Sequence, residues 1–111
     1  MKNRKYLALV LARKGSRRLK NKNILKLGTK PLISWTLDNL KKTQFLFDNI
    51  LISSDSDVIK KITKKKNLLF LKRPAYLAKS KTSSESSALH AINFYQKKYN
   101  QVKYVILFQP T

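Results

Sequence analysis

The sequence contains no cysteine, which removes disulfide frameworks, thiolate metal centres and thiol redox chemistry from the functions it can have. Glycine occurs only twice, at Gly15 and Gly28. The chain therefore has neither the GxGxxG of a dinucleotide fold nor the GxxxxGK[ST] of a P-loop. Acidic residues number five, and none forms an obvious carboxylate pair for Mg²⁺. His90 is the lone histidine. No window reaches the roughly 18 apolar residues of a membrane span. The N-terminus has a short apolar stretch without a small-residue cleavage site, so a cytoplasmic protein with no membrane partner is expected.

Basic charge is abundant. Twenty-five Lys and Arg give a formal net charge of +20, which makes nucleic acid the first partner to weigh. Much of this charge lies in helix-patterned stretches such as Lys60, Lys61, Lys64, Lys65 and Lys66, which read as a solvated helix face. The balance supports an anionic ligand without choosing among RNA, an anionic surface and a nucleotide. The length of 111 residues and a hydrophobic content of 42% suit one small domain with a buried core.

The apolar runs set the fold class. Tyr6 to Ala12 is continuous and bounded by charge, as in a central parallel strand covered on both faces. Arg13 to Lys30 reads as a long basic loop, and Pro31 marks a helix start. Leu32, Trp35, Leu37 and Leu40 then recur at approximate helical spacing, with Lys41 and Lys42 in the last turn, where cations suit the helix dipole. Asn49 to Ser53 predicts a second strand. Ser54 to Asp57 supplies helix caps ahead of Val58, Ile59 and Ile62, and Asp55 and Asp57 are read as capping groups and not as metal ligands. Leu68 to Leu71 predicts a third strand. A helix is expected from about Ser84 to Lys98 with Ala88, Leu89, Ala91, Ile92 and Tyr95 on its apolar side, and Tyr104 to Phe108 predicts a fourth strand. Strands alternating with amphipathic helices argue for an α/β, Rossmann-like parallel sheet with helices on both faces. Ligands in such sheets sit outside the carboxyl ends of the strands, near the topological switch point. The Arg13 loop, the Arg73 loop and Gln109 all follow predicted strands, so they are expected to converge on one crevice.

The stretch Leu11 to Ile24, LARKGSRRLKNKNI, empties an apolar strand into a basic loop with one permissive glycine. Such a loop presents cations and backbone N–H groups to phosphate, although its spacing alone fits a solvated basic loop equally well. The residues go further. Ala12-Arg13-Lys14-Gly15-Ser16-Arg17-Arg18-Leu19, Lys22-Asn23-Ile24, Lys30-Pro31-Leu32-Ile33 with Trp35-Thr36, Ile52-Ser53-Ser54-Asp55, Arg73-Pro74-Ala75 with Leu77-Ala78, Thr82-Ser83-Ser84, and His90-Ala91 to Gln109-Pro110-Thr111 follow one another in the order of a known family. The chain resembles the acylneuraminate cytidylyltransferases, the CMP-sialic acid synthetases, over nearly its whole length. Lys20 stands where the family usually has proline, and Ser80 where it is often acidic.

That resemblance implies transfer of CMP from CTP to a nonulosonic acid, sialic, legionaminic or pseudaminic, with release of pyrophosphate, for surface glycan biosynthesis. Arg13 and Lys22 are the implied catalytic cations, stabilising charge on the transferring phosphoryl group. Arg17, Asn23, Arg73, Thr82 through its backbone, Ser84 and Gln109 join them as implied nucleotide-binding positions. Arg73 also fits a surface arginine, Ser84 a helix cap, and Gln109 a residue paired with backbone; His90 is read as structural. Residues 1–111 are expected to be the nucleotide-binding N-terminal part of a cytidylyltransferase domain of the nucleotide-diphospho-sugar transferase type, stopping after its fourth strand. Mg²⁺ is the implied cofactor, its ligands expected in a C-terminal half beyond Thr111, and the full-length enzyme is expected to be a homodimer. The 111-residue chain alone is expected to bind CTP weakly at best and to turn over poorly or not at all. Two other readings stand beside this one: a cytidylyltransferase for the lipopolysaccharide keto-octonic acid, and a basic RNA-binding module. The aromatic residues, lying mostly in strand and helix patterns and not in exposed stacking sets, favour the enzyme over the RNA module.

Overall fold

The computed structural model describes residues 6–12, 26–27, 30–74, 76 and 84–109. Its elements are β1 (Tyr6–Leu11), β2 (Lys26–Leu27), β3 (Lys30–Pro31), α1 (Leu32–Lys42), a 3₁₀ turn (Gln44–Leu46), β4 (Asn49–Ser54), α2 (Asp57–Lys65), β5 (Leu69–Lys72), α3 (Ser84–Lys98) and β6 (Tyr104–Phe108). The region expected to be an uninterrupted loop up to Lys30 contains a short antiparallel pair, β2 with β3. Every other expected strand and helix is present.

Four strands form one parallel sheet in the order β5-β4-β1-β6. β1 is central, with Leu9 opposite Leu51 of β4 and Leu107 of β6. Alternation divides its side chains between two cores. Ala8 and Val10, with Ile50 and Ile52, pack under Ile33, Leu37 and Leu40 of α1 and Ile59 of α2. Leu7, Leu9 and Leu11, with Leu51, pack against Ala91 and Tyr95 of α3. Coverage from both faces explains why β1 reads as a continuous apolar run and not as an alternating one.

Local chemistry sets the boundaries. The Ser56 hydroxyl caps α2 by accepting from the Ile59 N–H at 3.2 Å. The carboxylates of Asp55 and Asp57 are not the cap, contrary to expectation: Ser56 is the residue with extended backbone one position before the helix, where a short hydroxyl side chain reaches the first turn. Asp57 instead accepts from Lys72 at 3.0 Å on the surface. After α2 the chain reverses through Asn67 at φ 59°, a left-handed conformation that asparagine tolerates better than most residues, and enters β5.

The helix faces differ from the pattern in a consistent way. Trp35, Val58 and Leu89 were placed on apolar faces but are exposed. The residues turned to the sheet are Ile33, Ser34, Leu37 and Leu40 in α1, Ile59 and Thr63 in α2, and Ser87, Ala91 and Tyr95 in α3. Trp35 lies under the Lys30 ammonium, 4.1 Å from its ring centre, so its outward position is occupied by a cation–π contact.

Candidate functional site

The direction change in the sheet locates the crevice. From β1 the chain moves outward through α1 to β4 and through α2 to β5; α3 then carries it across the opposite face to β6, on the other side of β1. The switch point therefore lies between β1 and β6, at their carboxyl ends. Arg73 follows β5, Ser53 and Ser54 end β4, Ala12 follows β1 and Gln109 follows β6. These residues form a row along one rim of the sheet, with the N-terminus of α3 at the same rim.

Arg73 is 4% exposed, which corrects the surface-arginine reading. Its backbone N–H donates to the Ser54 carbonyl at 2.7 Å. Its guanidinium turns back across the sheet end, Nε donating to Ser53 Oγ at 3.3 Å and Nη2 to the Ser53 carbonyl at 3.1 Å. The same carbonyl accepts the Ala12 N–H at 3.0 Å. Ser53 thus joins the residue from which the Arg13 loop departs to the buried guanidinium at the end of β5.

On the other side of the switch point, Gln109 Nε2 donates to Ser84 Oγ at 2.6 Å. The side-chain partner is thus another side chain and not the backbone that Gln109 also fitted. Ser84 is the first residue of α3, where a helix leaves N–H groups without internal acceptors. Both side chains are exposed at the rim. Two residues 25 positions apart in sequence and both expected at a nucleotide site are therefore in contact.

Arg13, Arg17, Lys22, Asn23 and Thr82 lie outside the described residues. Sequence reasoning assigned no role to Ser53, although its Ile52-Ser53-Ser54-Asp55 run entered the resemblance. A serine closing the apolar run Ile50-Leu51-Ile52 was the available signal. His90 is half-buried on α3, and its Nδ1 is shielded from solvent with no hydrogen-bond partner among the described residues.

Other described charges lie elsewhere on the surface. Lys60, Lys61, Lys64 and Lys65 line the exposed side of α2, whereas Lys66 is half-buried and pairs with Asp38. Asp38 accepts from both Lys30 and Lys66, and these bonds hold its carboxyl below the usual carboxylate range. At the amino end of the sheet, the buried Tyr95 hydroxyl donates to Asp48 and accepts from Asn49 Nδ2 at 2.7 Å. Burial, then the Asp48 bond, pushes this phenol above its ordinary range. Tyr6 and Tyr104 also lie at that end, exposed and stacked at 5.3 Å, an exposed aromatic pair that the sequence pattern did not anticipate. Among the described residues no three His, Asp or Glu side chains cluster. Asp38 and Asp57 are paired to lysines and Asp48 is bonded to Tyr95.

Residues 7–109 match the family model described as cytidylyltransferase. The chain is 34% identical over 107 residues to the N-acylneuraminate cytidylyltransferase of Escherichia coli O18:K1:H7, covering 96% of this chain and 24% of that protein. It is 37% identical over 78 residues to the CMP-N,N'-diacetyllegionaminic acid synthase of Campylobacter jejuni, covering 69% of this chain and 33% of the relative. The structure of a CMP:2-keto-3-deoxy-manno-octonic acid synthetase complexed with CTP superposes with a TM-score of 0.70 at 17% identity, covering 96% of this chain and 40% of the other. The chain thus spans between a quarter and two fifths of the length of these proteins. The family match over nearly every residue and the shared parallel sheet lead to one conclusion: this chain belongs to the cytidylyltransferase family.

Proposed function

We propose that this chain forms the nucleotide-binding rim of an enzyme that transfers CMP from CTP to a nonulosonic acid. The observation that carries the reading is the row of polar groups at the carboxyl ends of β5, β4, β1 and β6. Arg73 on Ser53, and Gln109 on Ser84, flank the point where the basic loop leaves β1. Relatives named for sialic and legionaminic acid transfer favour a nonulosonic acid as acceptor, specifically sialic, legionaminic or pseudaminic acid. The lipopolysaccharide keto-octonic acid is the second reading, favoured by the shared fold of the synthetase named for it.

In this reading the anomeric hydroxyl of the acceptor attacks the α-phosphorus of CTP. A new O–P bond forms, the bond to the β-phosphate oxygen breaks, pyrophosphate leaves and the hydroxyl proton is released. Arg13 and Lys22 neutralise the triphosphate and the charge that grows on the transferring group. Arg73, Ser84 and Gln109, with Asn23, Arg17 and the Thr82 backbone, bind and orient the nucleotide. Mg²⁺, when bound, would draw charge from the phosphate oxygens; its ligands are not assigned to the described acids, and no step is placed on it. The full-length enzyme is proposed to be a cytoplasmic homodimer.

Titrating CTP into the 111-residue chain and its variants tests the assignment. Arg13→Ala and Lys22→Ala should each abolish measurable binding, while Lys64→Ala on the solvated face of α2 should leave it within about twofold, as expected of a surface substitution. Equal losses across all three would favour the RNA-binding reading, in which affinity follows total charge and falls steeply with salt.

A further inference from the structure

We propose that Ser53 is a positioning residue for the nucleotide, acting through Arg73 and without touching the ligand itself. The inference rests on the nucleotide reading of the rim. Ser53 closes the run Ile50-Leu51-Ile52, every member of which is buried, and is itself 0% exposed. A hydroxyl in that position is unfavourable unless it is bonded, and the group that meets it is the Arg73 guanidinium. Leu71 is the register partner of Ser53, so Arg73 lies two residues beyond that partner, and its long side chain reaches back over the end of β4. Nε on the hydroxyl and Nη2 on the carbonyl of one residue define the guanidinium plane, because its five donors form a rigid fork. The guanidinium is thereby held over the end of β4. Acceptance of the Ala12 N–H by the same carbonyl places this anchor beside the exit of the basic loop.

The consequence is a specific dependence. Removing the hydroxyl keeps the strand, the carbonyl and the Arg73 charge, but releases the Nε end of the guanidinium. CTP affinity should fall about tenfold, the scale of one hydrogen bond to a charged group. Because the effect passes through Arg73, it should vanish when Arg73 is absent, a non-additivity expected only of coupled residues.

The test is a double-mutant cycle on the 111-residue chain: wild type, Ser53→Ala, Arg73→Ala and the double variant. CTP affinity is read by calorimetry and the Arg73 Nε–H resonance by NMR. Ser53→Cys, which keeps the volume with a weaker acceptor, serves as the second substitution. The expected result is a slowly exchanging Nε–H in the wild type that is lost in both Ser53 variants, roughly tenfold weaker CTP binding by each, and no further loss when Ser53→Ala is added to Arg73→Ala. Unchanged CTP affinity in Ser53→Ala, an equal loss with and without Arg73, or an Nε–H signal indifferent to the hydroxyl overturns the inference. If the wild type binds no CTP while the Nε–H still depends on Ser53, the nucleotide reading fails and the anchoring of Arg73 stands.

Discussion

Tyr95 shows how a single side chain fixes an element far from the rim. Its ring is fully buried between α3 and the sheet, and its hydroxyl joins Asp48 to Asn49 while Asn100 Nδ2 donates to the same carboxylate at 3.1 Å. With the phenol held above its ordinary range by burial, it remains a donor to Asp48 at working pH. Tyr95→Phe removes that donor and leaves a buried carboxylate with Asn100. A loss of about 1–3 kcal/mol in urea unfolding is expected, with CTP affinity of the folded variant unchanged. Asp38 gives a pH-dependent counterpart. Its folded-state pKa lies below the unfolded value of about 3.9, so the pairing with Lys30 and Lys66 contributes fully above that value and is lost as pH falls through the folded one. The carboxylate is a third exposed, so the contribution is at most about 1 kcal/mol. Urea midpoints measured from pH 7 down to pH 2.5 should fall more for the wild type than for Asp38→Asn; parallel curves would remove Asp38 from the explanation.

At the scale of elements, boundaries were more legible than faces. The helix Ser84–Lys98 and the strand Tyr104–Phe108 coincide with their pattern-based expectations, because cap-forming serines and flanking lysines mark ends through backbone chemistry that acts locally. The faces misled where small polar residues take the inside. Ser87, Ala91 and Tyr95 recur every four positions on the buried side of α3, and a hydrophobic pattern favours Leu89 because it does not register a serine that lets helix and sheet approach closely. Ser56 belongs to the same class of quiet residue. Its hydroxyl is the α2 cap, so Ser56→Ala should reduce stability by about 1 kcal/mol, whereas Asp55→Ala should cost less; a reversed order in thermal melts would return the cap to the carboxylate.

For the molecule as a whole, the alternation of strands and helices was enough to anticipate a parallel sheet covered on both faces, whereas the strand order β5-β4-β1-β6 was not legible, because right-handed crossovers are compatible with more than one order. The contact between Ser84 and Gln109, and the anchoring of Arg73 by Ser53, were not legible: both depend on which strand ends become neighbours in space. The amino end and β6 carry a second whole-molecule property. Tyr104, Ile106 and Leu107 of this edge strand are more than 40% exposed, an arrangement that favours strand-to-strand association, while a net charge of +20 opposes it. Screening shortens the range of that repulsion to about 10 Å at 0.1 M salt. Light scattering should therefore show association that grows with ionic strength and is suppressed by Ile106→Lys; association that weakens with salt would point to charge pairing instead.

Where CTP lands on this fold decides between a cytidylyltransferase rim and a basic surface that accepts any polyanion. The measurement is a backbone amide NMR titration of the 111-residue chain with CTP, repeated with inorganic triphosphate. The expected result is a CTP-specific set of shifts at Ala12, Ser53, Arg73, Ser84 and Gln109, with Tyr6, Tyr104 and the Lys60–Lys65 stretch of α2 unmoved. Shifts concentrated on α2 or at the amino end, and reproduced in full by triphosphate, would contradict it.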